Sequence, residues 1–230
     1  MRTHVTVAVV GAGVIGSIIV KAIAKRKPGW TVIGTGRSES TLKKVAELGG
    51  KPVRDNRAAV EQSDLLIIAV KPSQLINVVS EISDLVNGKV VVSVVAAAPI
   101  SWLMRALPGA RVVRAMLNIA ADVGKSFTAL SAMPGLDEEA RSLVEETFST
   151  LGHVEWVEES YMNALTALSG SAPAFLAEII DALALGGIAA GLPRDLAYRA
   201  TLHAMMGTAS LLLELSLIHI SEPTRLLSIS

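Results

Sequence analysis

The chain has 230 residues, 51% of them hydrophobic and 18% charged, with equal numbers of basic and acidic side chains. That is enough apolar material for one or two globular domains, and a formal charge of zero leaves no excess to draw nucleic acid or an anionic membrane surface. Cysteine is absent, which excludes disulfides and thiolate chemistry and suits a reducing, cytoplasmic compartment.

Residues 5–10 are an apolar run, the pattern of a strand buried in a parallel sheet. The run begins so close to Met1 that no signal peptide is expected. It enters Gly11-Ala12-Gly13-Val14-Ile15-Gly16, a Gly-x-Gly-x-x-Gly spacing, and a helix is expected over residues 14–27, ended by Pro28 and Gly29. Each glycine has its own task in such a turn. Gly11 allows the tight bend, Gly13 lets a pyrophosphate approach the backbone, and Gly16 lets the helix pack close to the strand. The helix start then offers N–H groups and the positive end of its dipole to phosphates. The alternative is a glycine-rich turn that binds nothing.

A second strand at residues 30–34 leads to Thr35-Gly36-Arg37-Ser38. NAD-binding folds place an acidic residue there for the ribose hydroxyls. Here Arg37, with the hydroxyls of Thr35 and Ser38, suits a 2′-phosphate, pointing to NADPH with NADH as the second choice. In the competing reading Arg37 and Ser38 only cap the next helix and face water. Further on come a helix at 40–48, a short strand at 51–53 and a short helix at 56–62 with Asn56 as its N-cap. An apolar strand at 65–70 ends in Ala69, Val70, Lys71 and Pro72, and Pro72 starts a helix continuing through 73–85. Strands follow at 89–95 and 111–115.

This alternation gives an α/β fold, a doubly wound parallel sheet whose ligand lies beyond the carboxyl ends of the strands. Asn118 lies just past the 111–115 strand. It either holds the carboxamide or a ribose hydroxyl of the coenzyme or closes its own turn. Strands at 127–132 and 153–157 flank a helix at 137–150 and extend the sheet edge.

From Glu158 onward only helices are expected, at 161–168, at 174–190 and from Pro193 to 213, with Ser169-Gly170-Ser171-Ala172-Pro173 interrupting the first two. Glu178 and Asp181 give the second helix a polar edge, which argues against a membrane span. Its apolar, alanine-rich remainder fits burial between helices, across a dimer. The domain reading is 1–157 for dinucleotide binding, 158–214 for an incomplete helical dimerisation and substrate domain, and 215–230 for a tail.

Leu165-Thr166-Ala167-Leu168-Ser169-Gly170-Ser171-Ala172-Pro173-Ala174-Phe175 resembles the signature region of pyrroline-5-carboxylate reductases, as does Ala189-Ala190-Gly191-Leu192-Pro193-Arg194-Asp195-Leu196-Ala197. Val9 to Gly13, Ala69 to Pro72 and Arg111 to Met116 align upstream in order. The resemblance implies a Rossmann-type sheet followed by an all-α dimerisation domain. It also implies hydride transfer from NADPH or NADH to the imine carbon of 1-pyrroline-5-carboxylate, giving L-proline, in a homodimer or larger homo-oligomer. By motif position Gly11, Ala12, Gly13, Val14, Ile15, Gly16, Arg37, Ser38, Ala69, Val70, Lys71, Pro72 and Asn118 would surround the coenzyme. Thr166, Ser169 and Ser171 would lie by the imine substrate as the candidate catalytic residues. Hydroxyls and helix-end N–H groups could hold a carboxylate there without a titrating base. In the competing reading Ser169-Gly170-Ser171-Ala172-Pro173 only permits a kink and close helix contact.

The chain departs from the family pattern at Leu117, Ile119 and Ala120, which stand where the family has proline, threonine and proline. Ala172 replaces a glycine, and residues 94–98 lack one. Residues 215–230 resemble nothing in the family, so that stretch is read as foreign to the fold and the chain as a truncated reductase that binds coenzyme but turns over poorly. Two other functions compete. A 3-hydroxyacid dehydrogenase would use a lysine three residues before Asn163, where Ser160 stands, and no lysine follows Lys125. A non-catalytic NADPH-binding protein would need only the first domain. The four histidines, His4, His153, His203 and His219, form no ligand cluster in the sequence, and no metal site is expected.

Overall fold

Strand β1 (Thr6–Val10) sits inside an eight-stranded sheet. The computed structural model describes residues 4–214, so the 215–230 tail, with His219, lies outside the described residues. The other strands are β2 (Thr31–Thr35), β3 (Lys51–Val53), β4 (Leu65–Ile68), β5 (Val90–Ser93), β6 (Arg111–Met116), β7 (Ser126–Ala132) and β8 (Gly152–Trp156). Their order is β3-β2-β1-β4-β5-β6-β7-β8. The chain order reverses between β1 and β4, which makes the carboxyl ends of those strands the switch point where such sheets bind ligands.

The apolar runs are legible as a two-sided core. Side chains alternate across a strand, so Val7 and Val9 join Leu65 and Ile67 on one face while Ala8 and Val10 join Leu66 and Ile68 on the other. The first face is covered by α1 (Val14–Arg26) and α6 (Glu138–Phe148) through Ile19, Ile23, Val144 and Phe148. The second is covered by α3 (Asn56–Glu61), α4 (Pro72–Ile82) and α5 (Ile100–Ala106) through Val60, Leu75, Val79 and Leu103. Helix α2 (Glu39–Glu47) follows β2 and buries Val45 on the first face.

The expected doubly wound parallel sheet is present, and one pair in it is antiparallel. β7 runs antiparallel to β6, with Val113 opposite Ala132 and Met116 opposite Ala129. A parallel return needs a crossover of about a dozen residues or more, and only residues 117–125 connect the two strands. One element is added and one smaller expectation changes. Helix α5, preceded by Pro99, was not signalled by periodicity, and the N-cap of α3 is Asp55, whose carboxylate accepts the Arg57 N–H at 2.8 Å. Asn56 is instead the first helical residue.

The chain divides into two compact units, the first ending at Pro173 and the second starting at Ala174. In the first, α7 (Met162–Leu165) passes into a π-helical turn, Thr166–Gly170, and on into α8 (Ala172–Ala189). The expected interruption is therefore a π turn within one helix from Glu159 to Ala189. That helix is long and apolar enough, by length and composition, to cross a membrane. The second unit holds the rest of α8 and α9 (Arg194–Glu214). Among its described residues only Ala184 and Ala197 are buried, while Phe175, Leu183, Met206 and Leu213 are exposed. Within this unit the Tyr198 hydroxyl donates to the Asp181 carboxylate, and that bond raises the phenol pKa above its usual value.

Candidate coenzyme and substrate site

The three glycines of the β1–α1 turn are distinguished by what a side chain would meet. Gly11 has φ +93°, and a Cβ there would lie 2.5 Å from Val70 Cγ1. A Cβ on Gly16 would lie 2.2 Å from the Gly11 carbonyl oxygen, so that glycine seats α1 on the strand end. A Cβ on Gly13 would meet nothing within 4 Å. Packing therefore explains Gly11 and Gly16, and Gly13 is left facing open space. Gly13 is also the N-cap of α1, without a side-chain cap and with no acidic residue in the first turn. The Gly11 N–H donates to Thr35 Oγ1 at 3.1 Å and the Ala12 N–H to the Thr35 carbonyl at 2.7 Å, which locks the turn to β2. The first N–H groups of α1, those of Val14, Ile15 and Gly16 among them, have no acceptor within the helix, and the positive end of its dipole lies at this turn.

Beside this turn lies a cleft of about 260 Å³, lined by Gly11, Ala12, Gly13, Arg37, Arg54, Asn56 and Val70, among others. Thr35 is buried and its hydroxyl is engaged, accepting from Gly11 and donating to Asn56 Oδ1 at 2.7 Å. It is not free for a 2′-phosphate, contrary to expectation. Ser38 does cap α2, accepting the Thr41 N–H at 3.2 Å, as the competing reading has it. Arg37 is exposed at the cleft. Arg54 was missed in the sequence. It donates to the Arg37 carbonyl at 2.9 Å and pairs with Glu39. Its signal lies in the register, because Val53 sits opposite Thr35 and so brings the next residue beside Gly36 and Arg37.

Past β4, the Ala69 N–H bonds the Val10 carbonyl at 2.8 Å and Val70 reaches the cleft. Lys71 is the exposed N-cap of α4 and Pro72 its first residue, and neither lines that cleft. Past β5, Ala97 holds φ +60° where the family pattern has glycine nearby.

At the end of β6, Asn118 Oδ1 accepts the Ala120 N–H at 3.0 Å, closing its own turn. Its Nδ2 donates to the Ser169 carbonyl at 3.0 Å, and Ser169 Oγ lies 3.4 Å away. The structure thus joins Asn118 to the π turn that carries the predicted hydroxyls. Thr166 Oγ1 donates to the Met162 carbonyl at 2.7 Å. The Ser171 hydroxyl is exposed, its nearest acceptor being the Thr166 carbonyl at 3.5 Å, beyond a good O–H···O bond. A second tie was not foreseen. Glu159 Oε1 accepts from the buried Arg114 guanidinium at 3.1 Å and from the Ile100 N–H at 2.7 Å, fastening the start of this segment to β6 and α5.

A glycine turn at the switch point, an uncapped helix start and an arginine-bearing cleft define a protein of the Rossmann-type, dinucleotide-binding class. Residues 6–97 match the family model described as NADP oxidoreductase coenzyme F420-dependent. Residues 159–226 match that of pyrroline-5-carboxylate reductase dimerisation, so the match runs into the 215–230 stretch, which on motifs alone resembles nothing in the family. A pyrroline-5-carboxylate reductase of Synechocystis sp. is 34% identical over 211 residues, covering 90% of this chain and 78% of the relative. The solved pyrroline-5-carboxylate reductase of Coxiella burnetii is 28% identical with a TM-score of 0.84, over 94% of this chain and 82% of that one. The pyrroline carboxylate reductase of Plasmodium falciparum, solved with NADP bound, shares the fold at 21% identity and a TM-score of 0.83, over 94% and 81% of the two chains. The chain belongs to the pyrroline-5-carboxylate reductase family.

Proposed function

We propose that the chain reduces 1-pyrroline-5-carboxylate to L-proline with NADPH, NADH serving less well. The observation that carries this reading is the open space at Gly13 before an uncapped helix start, in a chain of this family. The reduced coenzyme supplies a hydride to the imine carbon, while the imine nitrogen carries the proton that makes that carbon electrophilic. The chain's own part is to bind and orient. The first turn of α1 receives the pyrophosphate, and Arg37, with Arg54 behind it, faces the 2′-phosphate. The Ser171 hydroxyl is the best placed donor for the substrate carboxylate, with Ser169 and Thr166 beside it. Such a site needs no titrating base, because the reaction depends on holding donor and acceptor carbons in near-attack geometry.

The exposed apolar helices of the second unit and the match to a dimerisation model support a homodimer or larger homo-oligomer. Glu178 and Asp181 support a helix packed in a soluble assembly over a membrane-spanning one, and the absence of cysteine suits a reducing cytoplasm. The test is incubation with 1-pyrroline-5-carboxylate and NADPH, with proline quantified by mass spectrometry. Slow coenzyme-dependent proline formation is expected, in keeping with a truncated reductase. Its absence from folded protein that binds NADPH would overturn the reading in favour of a non-catalytic coenzyme-binding protein.

A further inference from the structure

The carboxamide of Asn118 works at both ends, and only one end is explained by its own turn. Closing that turn takes an acceptor for the Ala120 N–H, which an aspartate would supply as well. The donor end, aimed at Ser169 across 51 residues of sequence, needs another cause.

Pro173 provides it. In a regular helix the Ser169 carbonyl would accept from the N–H four residues on. That residue is Pro173, which has no N–H and whose ring crowds the carbonyl four residues back. The helix widens into the π turn, where the Ser171 N–H bonds the Thr166 carbonyl five residues back at 3.0 Å. Asn118 donates to the carbonyl for which Pro173 supplies no N–H. Two further contacts keep the asparagine and the turn in place. The Asn118 N–H donates to Ser126 Oγ at 3.1 Å, and Met116 Sδ lies 3.5 Å from where a Cβ on Gly170 would stand.

We propose that Asn118 and Pro173 form a positioning device that fixes the π turn, with the hydroxyls of Thr166, Ser169 and Ser171, at the carboxyl end of β6. The inference rests on the reading of that turn as the face that meets the substrate. It makes Asn118 a positioning residue that acts through Ser169, in place of a contact to the coenzyme.

The test is a two-by-two set: the parent chain, Asn118→Asp, Pro173→Ala and the double variant. Aspartate keeps the turn acceptor and lacks the donor, and alanine at 173 returns an N–H to the helix. Residue-resolved amide exchange at Ser171 and steady-state proline formation are read for each. Asn118→Asp is expected to speed Ser171 exchange about tenfold, the equivalent of one lost hydrogen bond of roughly 1.4 kcal/mol. It should lower kcat with the KM for NADPH unchanged. In the Pro173→Ala background the same substitution should change exchange less than twofold. Equal acceleration in both backgrounds, or none in either, would overturn the device. So would a raised KM for NADPH with Ser171 exchange unmoved, which would make Asn118 a coenzyme contact. If Asn118→Asp does not fold, Asn118→Ser keeps the acceptor and is too short to reach Ser169. Exchange decides the device even if no protein in the set forms proline, and that result would count against the proposed function alone.

Discussion

Two identical substitutions three residues apart should have opposite consequences. A methyl at Gly16 would sit 2.2 Å from the Gly11 carbonyl oxygen, well inside van der Waals contact, so α1 must lift from the strand end. Overpacking of that kind costs about 1–3 kcal/mol. A loss of about 2 kcal/mol lowers the melting temperature of a domain this size by roughly 4–8 °C. A methyl at Gly13 meets no atom within 4 Å. Its cost to the fold is the exchange of glycine for alanine at a helix N-cap, about 1 kcal/mol or less. It does occupy the space through which a pyrophosphate reaches the backbone, so NADPH affinity should fall at least about tenfold, or 1.4 kcal/mol. Thermal unfolding by circular dichroism and calorimetric titration with NADPH measure the two effects separately. Gly13→Ala binding NADPH as tightly as the parent chain would refute the assignment of that space to the coenzyme. Gly16→Ala melting with the parent chain would refute the packing explanation.

Arg37→Gln removes the cation facing the cleft and should weaken NADPH about tenfold while leaving NADH unchanged, as fluorescence titration of each reduced coenzyme can establish. Ala97 holds a left-handed backbone at φ +60°. That conformation costs a side-chain-bearing residue about 1–2 kcal/mol, part of which glycine's larger unfolded-state entropy offsets, so Ala97→Gly should raise the melting temperature by roughly 2–4 °C. The Asp137 carboxyl lies below its usual pKa because it accepts the Ala140 N–H and, secondarily, pairs with Arg111. A depressed folded pKa gives stability that is present above the unfolded value, about 4, and is lost as pH falls through the folded one. Melting temperature should therefore drop on acidification below about pH 4, and Asp137→Asn, which keeps the cap, should show a shallower drop.

The parts of the fold that can be read from sequence are those where local pattern and tertiary environment agree. The apolar runs Val7 to Val10 and Leu65 to Ile68 fit burial on both faces, and the glycine spacing follows directly from the first of them. The antiparallel direction of β7 was hidden, because strand direction depends on connection length and pairing partner and not on the composition of the strand. Arg54 was missed because its place beside Arg37 arises from the β2–β3 register. Thr35 was misjudged for a related reason. A hydroxyl near a predicted ligand looks available until its partners, here Gly11 and Asn56, are known. Ser169 to Pro173 carried a clear signal of irregularity. That it is a π turn closed by Asn118 depends on a hydrogen bond between distant parts of the chain, which no local spacing encodes.

The most direct measurement uses NADPH carrying deuterium at its transferable position. Incubated with the protein and 1-pyrroline-5-carboxylate, it should give proline with one deuterium on the former imine carbon, resolved by nuclear magnetic resonance. Proline formed without that label, or none formed by folded, NADPH-bound protein, would contradict hydride transfer to the imine.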